Sequence, residues 1–230
     1  MPKKKEIIVL SLGGSLIVPK SGFDLNFLKG FKKLILDFVK TGRRFIIVCG
    51  GGATARAYQS SARSLGKLTA NDIDWLGIHA TRLNAHFMRA IFRKLAHPSV
   101  IKNPTKKIKW REEILIGAGW KPGWSTDYDA VKSAKLYGAK KVINLSNIEY
   151  VYDKDPRKFR DAKKFTKMSW ARYRGIVGNK WEPGANWPFD PVASAEAEKA
   201  GLEVIVINGV DLEEVKKAVL GKDFNGTIIK

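Results

Sequence analysis

Two glycine runs stand directly after short β-branched stretches. Gly13-Gly14-Ser15 follows Ile7-Ile8-Val9-Leu10, and Gly50-Gly51-Gly52 follows Phe45-Ile46-Ile47-Val48. Glycine has no Cβ, so the backbone turns sharply there and a ligand can approach it closely. The N–H groups that open the following helix then favour an anion. Two such turns suit two phosphate-bearing groups held side by side, although glycine turns also serve as plain strand-to-helix connections. Neither run continues into Gly-Lys-Ser/Thr, which disfavours a P-loop, and neither carries the spaced Gly-x-Gly-x-x-Gly of dinucleotide binders.

Other residues fit the same chemistry. Phosphoryl transfer asks for two anions aligned and their charge neutralised, with little covalent help from the protein. Arg56 and Lys121 are cations near glycine-rich turns, and Asp74 suits a ribose hydroxyl. The helix dipole offers Asp72 and Asp74 a plainer use, as first-turn carboxylates. Trp120 and Trp124 suit either a base or their own protein. His79, Arg82 and His86 share one helix face, which fits a helix neighbour or a partner better than a metal. No histidine stands out as a general base, and an ionised phosphate acceptor needs none.

The elements that must position these residues alternate. Strands are expected at Ile7–Leu10, Phe45–Val48, Ile114–Ile116, Lys141–Leu145 and Val204–Ile207, with an edge strand at Gly226–Ile229. Helices are expected from the Asp24 cap through Phe38, Ala53–Leu65, Asp72–Leu95, Asp127–Tyr137, Pro191–Ala200 and Asp211–Leu220. Lys102–Trp110 reads as an exposed basic excursion, and Asp153–Trp187 as a long loop region with a short helix or two. Continuous apolar strands between helices imply an α/β fold, a mostly parallel open sheet covered on both faces. Ligands then sit beyond the carboxyl ends of the strands, where both glycine turns fall.

The 230 residues fit a single domain, 1–230, and 44% hydrophobic content suits a folded core. The chain has 42 Lys+Arg against 22 Asp+Glu, a net charge of +20, spread without a dominant run. That favours phosphate-rich ligands or a solvated basic surface, and disfavours dedicated nucleic-acid binding. No apolar run reaches membrane-spanning length, and the start Met1-Pro2-Lys3-Lys4-Lys5 lacks a secretory pattern, so a cytoplasmic chain without membrane partners is expected. The lone Cys49 forbids an internal disulfide, and no metal ligand set is expected.

Read in order, the motifs become specific. Ser11-Leu12-Gly13-Gly14-Ser15-Leu16 leads, then Cys49-Gly50-Gly51-Gly52 with Arg56, then Trp75 through Ala85. Gly119-Trp120-Lys121-Pro122-Gly123-Trp124-Ser125-Thr126-Asp127 comes next, followed by Ser146-Asn147 through Val151-Tyr152-Asp153-Lys154-Asp155-Pro156 and the tail Asn225-Gly226-Thr227. This ordered set, spanning nearly the whole chain, resembles the amino-acid-kinase family, and within it the archaeal-type uridylate kinases. The resemblance implies a three-layer α/β/α sandwich, with about residues 1–126 holding the acceptor and about residues 127–230 the nucleotide. It implies ATP with Mg2+ as donor, UMP as the favoured nucleoside-monophosphate acceptor, and homo-oligomers built from dimers, up to hexamers.

Carried over by position, Ser11, Leu12, Gly13, Gly14, Ser15, Gly52, Arg56, Ser146, Asn147, Tyr152 and Asp155 would hold ATP. Gly51, Asp74, Trp120, Lys121, Pro122, Gly123, Trp124, Ser125 and Thr126 would hold the acceptor. Arg56, Asp127 and Lys121 would serve the transfer itself. The chain departs from the family pattern at Trp120, Lys121 and Trp124, at Tyr150 where a glycine is usual, and at Ala53 where a lysine often stands. The alternatives are another small acceptor, such as isopentenyl phosphate or a carboxylate, or a non-catalytic nucleotide-binding or storage protein.

Overall fold

A computed structural model describes residues 5–180 and 187–230. The basic start at residues 1–4 and part of the expected 153–187 loop region, residues 181–186, lie outside the described residues. The chain runs β1 (Ile7–Leu12), α1 (Gly14–Ile17), α2 (Leu25–Lys40), β2 (Arg44–Cys49), α3 (Gly52–Leu65), α4 (Ala70–Phe92) and β3 (Ile114–Gly117). It continues through α5 (Thr126–Tyr137), β4 (Lys141–Ser146), β5 (Val151–Tyr152), β6 (Lys164–Phe165), β7 (Lys167–Met168), α6 (Trp170–Val177) and α7 (Pro191–Lys199). β8 (Glu203–Asn208), α8 (Leu212–Leu220) and β9 (Thr227–Ile229) complete it.

The main sheet has seven strands in the order β3-β2-β1-β4-β8-β9-β7. β1, β2, β3, β4 and β8 run parallel, and β9 returns antiparallel to β8. Side chains alternate across each strand. Ile8, Leu10 and Leu12 therefore enter one core with Phe31, Ile35, Met88 and Val215 of α2, α4 and α8. Val9, Ile46 and Val48 enter the other, with Tyr128, Val131, Tyr173 and Ala193 of α5, α6 and α7. That is the expected three-layer sandwich. The strand order reverses between β2-β1 and β1-β4, which makes the carboxyl ends of β1 and β4 the switch point of the sheet.

Two expectations change. β9 is not an edge strand, because Lys167 and Met168 pair with Ile228 and Ile229 and put β7 outside it. α4 starts at Ala70, not Asp72, because Thr69 caps it reciprocally with Asp72. Asp74 thereby moves to the second turn, away from the N-terminal end of the helix dipole. The 102–110 excursion is strapped down at its end: the Arg44 guanidinium lies 3.5 Å from the centre of the Trp110 ring and donates to Trp110 O and Glu112 O.

Candidate active site

The two glycine turns interlock. A Cβ on Gly14 would stand 2.0 Å from Gly52 N and 2.5 Å from Gly50 C. A Cβ on Gly52 would stand 2.2 Å from Gly14 O, and the φ of +63° at Gly52 disfavours any side chain there. Gly13 N donates to Leu145 O at 2.8 Å, Gly50 N to Leu12 O at 2.9 Å, and Ala53 N to Val18 O at 2.9 Å. Asn84 of α4 donates to Gly50 O at 2.8 Å and to Gly51 O at 3.1 Å. The carboxyl ends of β1, β2 and β4 are thus fused through backbone contact.

A cleft of about 350 Å³ opens beside this seam. Gly14, Gly50, Gly51, Gly52 and Arg56 line one side, Asp74 and Thr81 of α4 another, and Trp124, Ser125, Thr126, Asp127 and Asp190 the rest. α3 begins here at Gly51 with no side chain bonded to its free N–H groups. Such an end holds anions. Arg56, one turn on and exposed, adds a full charge.

The helices α5 and α7 also begin at the cleft. Ser125 caps α5 by accepting from Tyr128 N, and Asp190 caps α7 by accepting from Ala193 N at 2.6 Å. Asp127 joins the two: it accepts from Ser11 Oγ at 2.7 Å and from Asp190 N at 3.2 Å. Burial pushes the Asp127 carboxyl up to about 6, opposed by the Ser11 hydroxyl and helped by the Asp190 charge. Burial likewise raises Asp190. The segment before Asp190 is held by Asn144, which donates to Pro188 O at 2.7 Å, and by the Tyr173 hydroxyl, which bonds both Phe189 O and Phe189 N.

On the α4 side, Asp74 Oδ2 accepts from Gly123 N at 2.8 Å, and Gln59 of α3 donates to Ile73 O at 2.9 Å. Partial burial raises the Asp74 carboxyl, and the Gly123 N–H opposes that rise. Its plainer use as a first-turn carboxylate is corrected, since it reaches across to a loop instead.

Of the residues expected from sequence, Gly14, Gly51, Gly52, Arg56, Asp74, Trp124, Ser125, Thr126 and Asp127 meet in the cleft. Ser11 backs it through Asp127, while the fully buried side chain of Leu12 packs in the core and its carbonyl is taken by Gly50. Gly13 and Ser146 meet at the switch point, since a Cβ on Gly13 would lie 3.5 Å from Ser146 Cα. Ser15, Asn147, Tyr152 and Asp155 do not line the cleft, and Asp155 pairs at the surface with Arg157. Trp120, Pro122 and Gly123 carry the loop beside it. The Lys121 ammonium lies 4.4 and 5.1 Å from the Trp120 and Trp124 ring centres and is not among the cleft residues. Tyr150 turns inward, donating to Asn225 Oδ1 at 2.9 Å.

Sequence reasoning missed Gln59, Gly77, Ile78, Thr81, Trp187 and Asp190. Gly77, Ile78 and Thr81 follow Asp74 at helical spacing, so tracing that face of α4 finds them. Asp190 before Pro191 is a helix-start signature, but only the fold brings it to Asp127.

Known proteins share this fold. Residues 6–208 match the model of the amino acid kinase family. A uridylate kinase of Methanocaldococcus jannaschii is 34% identical over 231 residues, covering 97% of this chain and 99% of its own length. One of Methanococcus aeolicus is 34% identical over 227 residues, covering 96% and 98%. The crystal structure of uridylate kinase from Archaeoglobus fulgidus superposes with a TM-score of 0.82 at 31% identity, covering 98% of this chain and 100% of that one.

Proposed function

The chain belongs to the amino acid kinase family, and on that premise we propose that it transfers the γ-phosphoryl group of ATP to a nucleoside monophosphate, UMP, to give UDP. The observation that carries this reading is the α3 N-terminus, which no side chain caps, with Arg56, at a cleft that Asp74 also lines. An anion-binding end, a free cation and a carboxylate suited to a ribose hydroxyl stand around one small space. The relatives named above are uridylate kinases over nearly their full length.

In this reading, about residues 1–126 hold UMP, and about residues 127–230 hold the adenine nucleotide along Ser146, Asn147, Tyr152 and Asp155. The phosphates meet over the seam of Gly13–Ser15 and Gly50–Gly52. Backbone N–H groups and Arg56 neutralise charge that builds on the transferred group. The UMP phosphate attacks with an oxygen already ionised, so no base is needed. Asp127 holds Ser11 and the start of α7 in place, which keeps the donor side of the seam in register.

The donor set fits a magnesium ion that arrives on ATP. Among the described residues no group of three or more His, Cys, Asp or Glu forms a cage. Magnesium is commonly held by phosphates and water with one or two carboxylates, and Asp127 and Asp190 are the carboxylates at hand. When bound, the ion supplies charge neutralisation between the phosphates.

A second copy completes the reading. α3 and α4 leave Tyr58, Leu65 and Leu83 exposed, an apolar set that a homodimer would cover. A cytoplasmic place belongs to the same proposal. No helix among the described residues is long and apolar enough to cross a membrane.

The test is ADP release from Mg-ATP with UMP, CMP, AMP and isopentenyl phosphate in turn. UMP is expected to give the highest kcat/KM. Turnover of another acceptor with none of UMP would end the proposal.

A further inference from the structure

The loop after β3 is tied down at its root. Gly119 N donates to Thr81 Oγ1 at 2.8 Å, and Trp120 N donates to Asp129 Oδ2 at 3.1 Å. Arg82 donates through Nη2 to Trp120 O at 3.0 Å and through Nε to Gly119 O at 3.4 Å. Both N–H groups and both carbonyls of these residues are therefore engaged by side chains. Thr81 and Arg82 come from α4 and Asp129 from α5, helices that pack on opposite faces of the sheet.

Asp129 occupies an expensive position. It is 1% exposed, and its Oδ1 has no hydrogen-bond partner among the described residues. Burying such a group is unfavourable, and a small apolar residue in this turn of α5 would avoid the cost. Burial pushes its carboxyl well above the usual range; the Trp120 N–H and Arg82 oppose that rise, and Asp127 adds to it. What Asp129 supplies is the acceptor for the Trp120 N–H.

Trp120 is coupled to the cleft. Its ring centre lies 5.6 Å from that of Trp124, with the Lys121 ammonium over both. Trp124 packs edge-on against Tyr128 at 4.0 Å and lines the cleft. A shift of Trp120 is thus passed to the indole that faces the acceptor.

We propose that Asp129 and Arg82 are positioning residues that clamp Trp120 and so set how far the Trp124 indole stands into the acceptor side. The pair thereby helps decide which nucleoside monophosphate fits. This rests on the acceptor reading above. Neither residue touches the reacting phosphates.

The test compares wild type with Asp129→Ala and Asp129→Asn. Asp129→Ala is expected to raise KM for UMP about tenfold, to leave kcat and KM for ATP within about twofold, and to narrow the preference for UMP over AMP. Asp129→Asn keeps an acceptor for the Trp120 N–H and is expected to restore KM to within about threefold. Amide hydrogen exchange of the protein without substrate should quicken across residues 119–125 in Asp129→Ala and stay unchanged in β1 and α8. Equal rises in both KM values, an Asn variant as impaired as the Ala variant, or unchanged exchange in the loop would each overturn the clamp. If wild type fails to phosphorylate UMP, the proposed function falls, while the exchange comparison still decides the clamp.

Discussion

One wall of the cleft and the arm beyond Ser146, which lies outside it, are built differently. The acceptor-side wall, α4 with the loop 119–125, is locked by side chains: Asp74 on Gly123, Thr81 on Gly119, Arg82 and Asp129 on Trp120. The donor-side arm beyond Ser146 is looser. Its two-residue strands β5 and β6 form a separate pair, and its charges meet at the surface, Asp155 with Arg157 and Lys154 with Asp161. Exposed pairs of that kind add little stability. If the proposed acceptor site is right, a pre-formed wall favours discrimination among acceptors, because binding costs less ordering there. On the same reading, the arm is left to adapt to a larger nucleotide whose phosphates are gripped elsewhere.

Substitutions along the seam, on the wall and in the arm sharpen or break this contrast. The largest effect is expected at Arg56, the cation at the junction. Arg56→Ala should lower kcat by about 10²–10³-fold with Tm unchanged, since the side chain is exposed. A fall in KM affinity alone would move Arg56 from the transfer to simple binding. Gly52→Ala should come next, costing about 2–4 kcal/mol in denaturant unfolding, because its Cβ would stand 2.2 Å from Gly14 O at a φ of +63°. A near-neutral result would mean that the turns are not interlocked.

Asp127 tests the seam through pH. Its carboxyl is raised from 3.8 to about 6, so the folded chain binds this proton more tightly than the unfolded chain. Its contribution to stability is therefore most favourable below about pH 4, falls between about pH 4 and 6, and is level above that. Asp127→Asn should remove that cost and stabilise the fold by about 1–2 kcal/mol at pH 7, with the Ser11 and Asp190 contacts partly lost. In wild type, kcat/KM should decline as pH falls through about 6, and the variant should lose that inflection. A pH profile that is the same in both would remove Asp127 from the mechanism.

The smallest expected effects compare the wall and the arm directly. Asp74→Asn should raise KM for UMP about tenfold, while Asp155→Ala should raise KM for ATP only about two- to threefold and leave Tm unchanged. Equal effects from the two would erase the contrast.

Much of the fold was legible in sequence. β-branched runs such as Ile7–Leu10 and Phe45–Val48 became central strands, and Asp24 and Asp211 marked helix starts as expected. Local signals of that kind depend on neighbours a few residues away. The edge of the sheet was not legible, because the pairing of Lys167-Met168 with β9 spans about sixty residues and involves a strand of two residues. Within the site, glycine turns and Asp74 were legible by type and spacing. Lys121 was legible as a cation in the 119–125 loop, but its place over two indoles was not, because that depends on how the loop folds back on itself.

By itself, then, the sequence determined the strand–helix alternation, the placing of glycines at strand ends and the family pattern, since all of these are written in local order and spacing. Tertiary structure alone decided that Gly14 and Gly52 are glycine because each turn leaves the other no room for a Cβ. It also decided that Asp127 meets Ser11 and Asp190 across 116 and 63 positions, and that Asp129, unremarkable on its helix, becomes a buried acceptor for Trp120. Such groups take their chemistry from what surrounds them, and burial and partners are properties of the folded chain.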